Sequence, residues 1–167
     1  MKFEIVFEEL AGYTSLGKDD VEFMISMNPG EPVRPLGEVA SGGELSRIML
    51  AIKTVMAEKD QIETLIFDEI DVGISGRTAQ KVSEKMAVIG RNHQVICITH
   101  LAQIAAMADA HYAIEKKVID GKTKTSISLL SKEQEIAELA RILGGVEITD
   151  KVLENASEMK ELAKRTK

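Results

Sequence analysis

The sequence predicts an α/β fold in which a mostly parallel sheet is flanked by helices and accompanied by an antiparallel hairpin. Two apolar runs, at Thr64–Phe67 and at residues 93–98, end abruptly in polar residues, as buried parallel strands do where their carboxyl ends form a site. Around these runs, apolar residues recur at the three- and four-residue spacing of amphipathic helices. Strict alternation near the amino end is typical of antiparallel strands with one buried face.

The composition is that of an ordinary globular domain. A chain of 167 residues with 44% hydrophobic and 29% charged residues is long enough for one domain with a hydrophobic core. The single cysteine, Cys97, excludes an internal disulfide, and its apolar surroundings predict a small buried side chain. No signal peptide and no run of about 18 apolar residues is visible, so we expect a cytoplasmic protein. The net charge of −6 does not favour a broad DNA-binding surface on this segment.

Residues 2–10 and 21–27 predict the first two strands, which pair antiparallel. The segment between them, GYTSLGKD, fits the phosphate-loop pattern G-x-x-x-x-G-K, but Asp19 stands where that loop needs Ser or Thr for magnesium. The residues after it have an extended pattern, whereas a phosphate loop leads into a helix. We therefore predict a hairpin connection with a solvated Lys18.

Residues 28–35 contain all three prolines and predict an irregular loop, which leads to the segment ASGGELSR. There a glycine-rich turn leads into a helix predicted over residues 44–58, and Ser41 lies just before the amino-terminal end of that helix. Free backbone N–H groups and the positive end of the helix dipole suit such a junction to binding an anion, most often a phosphate. The alternative is that Ser41 only caps the helix.

Acidic residues follow the first apolar run directly, in the order Asp68, Glu69 and Asp71, and His100 follows the second. Adjacent acids after a strand can be helix caps, but here a loop, DVGISG, precedes the next helix. That helix is predicted over residues 75–89, with Ser75 or Gly76 as its cap. His100 can be a structural residue or part of a site. The histidines and Cys97 lack any recognisable metal-ligand spacing.

The carboxyl-terminal third predicts a short helix over residues 101–108, a hairpin and two further helices. The hairpin strands, residues 112–118 and 123–130, flank the turn dipeptide Asp120-Gly121. A capping box, Ser131 with Gln134, begins a helix that ends at Gly144-Gly145, and Thr149 caps the last helix. Four basic residues lie toward the carboxyl end of that last helix and either contact DNA or complement the helix dipole, which we favour: Lys160, Lys164, Arg165 and Lys167.

Taken in order, SGGE, IFDEID and ITH resemble the second half of an ABC-type ATPase head. The flanking text ELSRIMLAIK is similar to the chromosome-maintenance and repair branch of that superfamily, the SMC-like ATPases. The likeness extends over nearly the whole chain from Val21 onward. One departure is Ala40, where the wider pattern has leucine.

This resemblance implies an ABC/SMC-type P-loop ATPase head lobe that uses ATP and Mg²⁺. In that family the SGGE segment is the signature motif and Asp71 the D-loop acid, which implies contacts to nucleotide from Ser41, Gly42, Gly43, Glu44 and Asp71. It further implies that Asp68 binds Mg²⁺, that Glu69 is the general base, and that His100 contacts the terminal phosphate or the water beside it.

The resemblance also implies partners. A signature motif acts in trans, on ATP held by a second head, so a homodimer is expected. Residues 1–167 correspond to the carboxyl-terminal part of a head, without the lysine-bearing phosphate loop and without a coiled coil. The amino-terminal half of the same protein is then the other partner, with DNA bound by the complete bacterial protein near the nucleoid and no membrane.

The function implied is recombinational repair of DNA double-strand breaks, with this segment inactive by itself. The alternatives are a fragment of another ABC-type ATPase, such as a transporter, and a non-catalytic interaction or dimerisation module.

Overall fold

The computed structural model describes residues 2–39, 41–56, 61–145 and 147–167. Its contacts divide the chain into two compact units, Met1–Leu45 and Ser46–Lys167. The α/β class is confirmed. Ala40 and the predicted end of the second helix at Glu58 lie outside the described residues. Across the described part of the chain, helices of sufficient length and apolarity to span a membrane are absent.

The first unit is built on an antiparallel sheet. Its elements are β1 (Lys2–Thr14), β2 (Gly17–Ser26), β3 (Arg34–Pro35) and α1 (Leu36–Val39). The predicted hairpin is confirmed, with strands that extend further toward the turn than the alternation indicated. The loop predicted over residues 28–35 is wrong at its end, because Arg34 and Pro35 pair with β2 as an edge strand. A proline is tolerated there because an edge strand leaves one side of its backbone unpaired.

The predicted buried face of this hairpin is largely exposed. Phe3, Ile5 and Phe7 lie opposite residues of β2 on one face and remain 46%, 48% and 67% exposed. Ile25, in contrast, is 1% exposed. The alternation thus marks an apolar face correctly, but this unit by itself covers only one end of it.

The G-x-x-x-x-G-K segment is confirmed as a hairpin connection. The Thr14 hydroxyl donates to the Gly17 carbonyl (2.9 Å) and accepts from the Leu16 N–H (3.1 Å), which closes the turn. Lys18 lies in β2, a strand and not a helix. Its side chain remains solvent-accessible, as predicted, and pairs with the Glu9 carboxylate across the hairpin.

The helix α2 (Gly42–Met56) continues the chain from the first unit to the second. The elements that follow are β4 (Thr64–Phe67), α3 (Gly76–Ile89), β5 (Gln94–Cys97), α4 (Ala102–Ala106), β6 (Tyr112–Ile119), β7 (Lys122–Leu129), α5 (Lys132–Gly144) and α6 (Asp150–Thr166). Among the described strands, parallel pairing is confined to β4 and β5, whose last residues Phe67 and Cys97 lie side by side. The sites at their carboxyl ends are therefore neighbours.

Two apolar clusters hold the second unit. The first joins α2, β4, α3 and α4 around Leu50, Phe67, Ile70, Val82, Met86, Ile89 and Ile104. The second joins α4, α5 and α6 around Ala102, Ala105, Ala106, Met107, Leu139, Ala140, Ala156 and Ala163. Residues 68–72, here called the acidic loop, follow β4. Within this loop the Ile70 side chain is fully buried, so it anchors the loop to the core.

Local signals in the carboxyl-terminal third are confirmed. Asp120 and Gly121 both have positive φ angles, 52° and 71°, as the two-residue hairpin turn requires. The Ser131–Gln134 capping box forms at the start of α5, and the Thr149 hydroxyl accepts from the Val152 N–H at the start of α6.

Lys160 contradicts both interpretations of the basic carboxyl-terminal residues. Its side chain is buried, lies 2.9 Å from the Glu135 carboxylate and donates to the Ala108 carbonyl at 2.9 Å. It therefore neither faces DNA nor complements a helix end. A buried ammonium group requires such partners because its charge has left water.

Replacing Lys160 with Met should destabilise the chain by about 3–5 kcal/mol, because Glu135 would remain buried and unpaired. The double variant Lys160→Met with Glu135→Leu should regain most of this loss. Urea unfolding of the three proteins measures both effects. Equal stability of the wild type and the single variant would contradict the assigned pairing.

Stability should also fall below about pH 6.5 through His111, whose Nδ1 atom is buried and has no hydrogen-bond partner among the described residues. Burial lowers the pKa of His111 from its ordinary value of 6.5, despite the opposing charges of Glu138 and Glu135. The unfolded chain therefore takes up the proton first as the pH falls, which favours unfolding. Urea unfolding between pH 5 and 7 should show a weaker pH dependence in His111→Gln.

Candidate active site

The predicted anion-binding turn begins α2 as a capping box. The N–H and hydroxyl groups of Ser41 both donate to Oε2 of Glu44, at 2.9 and 2.8 Å, and the Glu44 N–H approaches the Ser41 hydroxyl at 3.4 Å. Ser41 and Gly42 are exposed, whereas Gly43 is buried. The capping alternative left open by the sequence is thus realised, and the Glu44 carboxylate already holds the Ser41 hydroxyl.

The acidic loop follows β4 in the second unit. Asp68 and Glu69 are exposed, and Oδ1 of Asp68 accepts a hydrogen bond of 2.9 Å from the Glu69 N–H. Glu69 adopts a φ of 57°, a left-handed conformation that is uncommon outside glycine and concentrates at functional sites. The chain then turns, with the Val72 N–H donating to the Glu69 carbonyl at 3.1 Å.

Asp71 joins this loop to the end of β5. Its side chain is 3% exposed, and its Oδ2 atom accepts hydrogen bonds from the Thr99 hydroxyl (2.6 Å) and from the His100 N–H (2.8 Å). The Nδ1 atom of the His100 ring lies 3.0 Å from the same oxygen. The His100 side chain is itself 72% exposed, so its outer edge is open to a ligand.

Sequence reasoning missed two residues that support the acidic loop, Ser46 and Arg47 in the first turns of α2. The Ser46 hydroxyl donates to the Asp68 carbonyl at 3.2 Å. One nitrogen of Arg47, Nη1, donates to the carbonyls of Ile70 (3.1 Å) and Val72 (2.9 Å). Both residues belong to the segment ASGGELSR. The sequence nevertheless does not indicate which distant carbonyl a polar residue on a helix will bond.

Cys97 is half-buried, less than its apolar run predicts. Burial raises the pKa of its thiol to about 12, with further contributions from the negative charges of Asp71 and Asp68. The thiol therefore stays protonated at neutral pH and is a poor nucleophile or metal ligand.

The acidic loop fits a magnesium ion whose remaining ligands are substrate phosphates and water. Groups of three or more His, Cys, Asp or Glu side chains suited to a metal are absent among the described residues. Mg²⁺ is commonly held by one or two carboxylates together with substrate phosphates and water. Asp68 supplies one exposed carboxylate, of which Oδ1 has a partner within the chain.

The structure thus collects four of the predicted site residues, Asp68, Glu69, Asp71 and His100, at the carboxyl ends of β4 and β5. The remaining predicted residues, Ser41 to Glu44, form a capping turn in the first unit.

Comparison with protein-family models gave no match. Among curated proteins, the chain is similar to DNA repair protein RecN of Halalkalibacterium halodurans, with 48% identity over 165 residues, which is 96% of this chain and 29% of that protein. It is 48% identical to DNA repair protein RecN of Bacillus subtilis over 92% of this chain and 27% of that protein. It is 55% identical to DNA repair protein RecN of Treponema pallidum over 77% of this chain and 22% of that protein. The chain therefore spans less than a third of the length of these relatives.

A solved structure described as "Structural biochemistry of ATP-driven dimerization and DNA stimulated activation of SMC ATPases" is also similar, with a TM-score of 0.49 and 24% identity over 74% of this chain and 73% of that chain. The relationship to known proteins rests on the sequence relatives.

Replacing Arg47 with Met should loosen the acidic loop, because two carbonyls lose their charged donor. We expect a loss of about 1–2 kcal/mol of stability and faster hydrogen exchange at the Val72 amide. Arg47→Lys should give an intermediate effect, since an ammonium group lacks the planar fork of arginine. Lys85→Met, an exposed change on α3, is the control. Unchanged exchange at Val72 in Arg47→Met would contradict the supporting role.

Proposed function

Because the chain belongs to the RecN family, we propose that it is the carboxyl-terminal part of an SMC-like ATPase head that acts in DNA repair. The observation that carries the proposal is the meeting of Asp71 with His100, which brings the acidic loop and the end of β5 together at one edge. An acid, a candidate base and an exposed imidazole at the carboxyl ends of parallel strands suit phosphoryl-transfer chemistry. In this proposal ATP hydrolysis needs the remainder of the head.

Asp68 is proposed to bind Mg²⁺ with its exposed carboxylate. Bound Mg²⁺ neutralises charge on the phosphates of ATP. The hydrogen bond from the Glu69 N–H to Oδ1 of Asp68 restrains the carboxylate and leaves its other oxygen available. Restraint of this kind orients a metal ligand before the ion arrives.

Glu69 is proposed to act as the general base toward the attacking water. It is exposed and directly follows the proposed magnesium ligand, so its carboxylate is accessible to solvent and to a bound substrate. Its left-handed backbone is a strained conformation that the surrounding loop maintains.

The signature turn is proposed to act in trans. Ser41, Gly42 and Gly43 would contact ATP held by a second copy of the head, with the positive end of the α2 dipole facing the phosphates. Glu44 would position Ser41, since its carboxylate accepts from both the N–H and the hydroxyl of that residue. ATP binding would then join two heads, and hydrolysis would release them.

The amino-terminal half of the same protein is the other proposed partner. The exposed apolar face of β1, with Phe3, Ile5 and Phe7, supports this because a contiguous exposed apolar patch marks a surface that another element covers. The chain also spans less than a third of its RecN relatives, which leaves that partner outside it. We propose that the complete protein binds DNA and acts in recombinational repair of double-strand breaks in the bacterial cytoplasm, at the nucleoid.

The second candidate is a non-catalytic interaction module. It is favoured by the Ser41–Glu44 capping box, because that arrangement serves helix stability without any nucleotide. The two candidates differ in whether Glu69 and Ser41 matter for ATP turnover.

A complementation experiment in the complete protein tests the proposal. Glu69→Gln should abolish most hydrolysis while ATP-driven dimerisation persists, and Ser41→Arg should block turnover through the signature turn. Mixing the two inactive variants should restore about a quarter of wild-type turnover per head, because half of the dimers are mixed and each mixed dimer has one intact site. Steady-state ATPase assays and size-exclusion chromatography measure both quantities.

The matched control is Glu63→Gln, an exposed glutamate at the other end of β4, which should leave turnover unchanged. Near-normal turnover in Glu69→Gln would remove Glu69 as the base. Absence of recovery on mixing would show that the signature turn acts in cis. Absence of any turnover by the wild-type protein with ATP, Mg²⁺ and DNA would favour the interaction module.

A further inference from the structure

We propose that Asp71 is a positioning residue that keeps the proton of the neutral His100 ring on Nδ1, so that Nε2 faces the substrate as a hydrogen-bond acceptor. The inference rests on the proposed function for its catalytic meaning, but its structural content concerns this chain alone. It assigns Asp71 a role through His100 and not through direct contact with nucleotide.

The Asp71 carboxylate is buried. At 3% exposure the carboxylate has almost no access to water, so its charge must be stabilised by donors within the chain. The Thr99 hydroxyl and the His100 N–H supply two of them, both to Oδ2. A carboxylate held in this way has little room to contact a nucleotide.

The His100 imidazole lies beside the same carboxylate. Its Nδ1 atom lies 3.0 Å from Oδ2 of Asp71, the oxygen that already accepts from the backbone N–H of the same histidine. The contact is defined by its distance and not by hydrogen-bond alignment, so its effect is electrostatic. An unprotonated Nδ1 carries partial negative charge and is repelled by the carboxylate oxygen. A proton on Nδ1 makes the contact attractive, so the Nδ1–H tautomer is favoured.

The tautomer determines what the outer edge of His100 can do. A neutral ring with its proton on Nδ1 has only a lone pair at Nε2. It can therefore accept a hydrogen bond from a water molecule beside the terminal phosphate, but it can donate to the phosphate only after taking up a second proton. The family resemblance left both contacts open for His100, and this geometry favours the water.

The support for Asp71 extends to the adjacent turn. The Leu101 N–H donates to the Thr99 hydroxyl at 3.0 Å, and that hydroxyl in turn donates to Asp71. Residues 99–101 are thus held around one carboxylate before α4 begins. A buried acid that orients an exposed imidazole is a known arrangement for fixing the tautomer of a catalytic histidine.

Nitrogen-15 NMR of the histidine rings tests the proposal in the 167-residue chain, without nucleotide. Two-bond ¹H–¹⁵N correlation spectra distinguish the two neutral tautomers, and loss of one set of signals in His100→Gln identifies the ring. At a pH where the ring is neutral, wild-type His100 should be the Nδ1–H tautomer. Asp71→Asn should shift the population toward Nε2–H, because a neutral amide oxygen in place of Oδ2 attracts the Nδ1–H group less strongly than the carboxylate does. Asp68→Asn, a change at the exposed acid of the same loop, should leave the tautomer unchanged.

A wild-type ring in the Nε2–H form would overturn the proposal, and this measurement does not depend on the folding of any Asp71 variant. An unchanged tautomer in a folded Asp71→Asn chain would overturn it as well. Neither result depends on ATP turnover, so the proposed function and this inference can fail separately.

ATPase kinetics of the complete protein supply the second readout. Asp71→Asn should lower kcat by on the order of tenfold to a hundredfold, with ATP-driven dimerisation retained. The double variant with His100→Gln should be no slower than His100→Gln alone, since Asp71 acts through that ring. A double variant slowed by the product of the two single effects would show that Asp71 acts independently of His100.

Discussion

The candidate site depends on one buried charge, the Asp71 carboxylate. A carboxylate at 3% exposure is stable only with donors around it, and the donors that meet it come from the end of β5, 28 and 29 residues further along the chain. The need to satisfy this charge therefore fixes the acidic loop against Thr99 and His100. Parallel pairing of β4 with β5 brings the carboxyl ends of these strands to the same edge of the sheet. The hydrogen bonds of Asp71 then hold the acidic loop against Thr99 and His100.

A second set of bonds satisfies the other polar groups of the loop. Its carbonyls at Asp68, Ile70 and Val72 accept from Ser46 and Arg47 of α2, while Ile70 carries the loop into the apolar core. The loop is thus held by its backbone from one side and by a carboxylate from the other. This support explains how Glu69 can keep a left-handed backbone that is costly for a residue with a side chain.

The first unit shows how far a local pattern can be trusted. The alternation in β1 and β2 places Phe3, Ile5 and Phe7 on one face, and the strands pair in the register that this alternation requires. The pattern identifies which face is apolar, but it cannot say what covers that face. In the described chain most of it stays exposed. Lys160 shows the converse, because a lysine near a helix end looks solvated in sequence and is buried against Glu135 in the fold.

The sequence by itself determined the order of the motifs, both parallel strands to within a residue, the helix caps at Ser131 and Thr149, and the family. These features depend on residues within a few positions of one another, so they are legible locally. Tertiary structure alone decided which donors surround Asp71, which carbonyls Arg47 reaches 23 and 25 residues away, and that Lys160 bonds a carbonyl 52 residues away. Such contacts join distant segments and satisfy buried charges and carbonyls, and their partners are set by the packing of helices and strands, which no local pattern specifies.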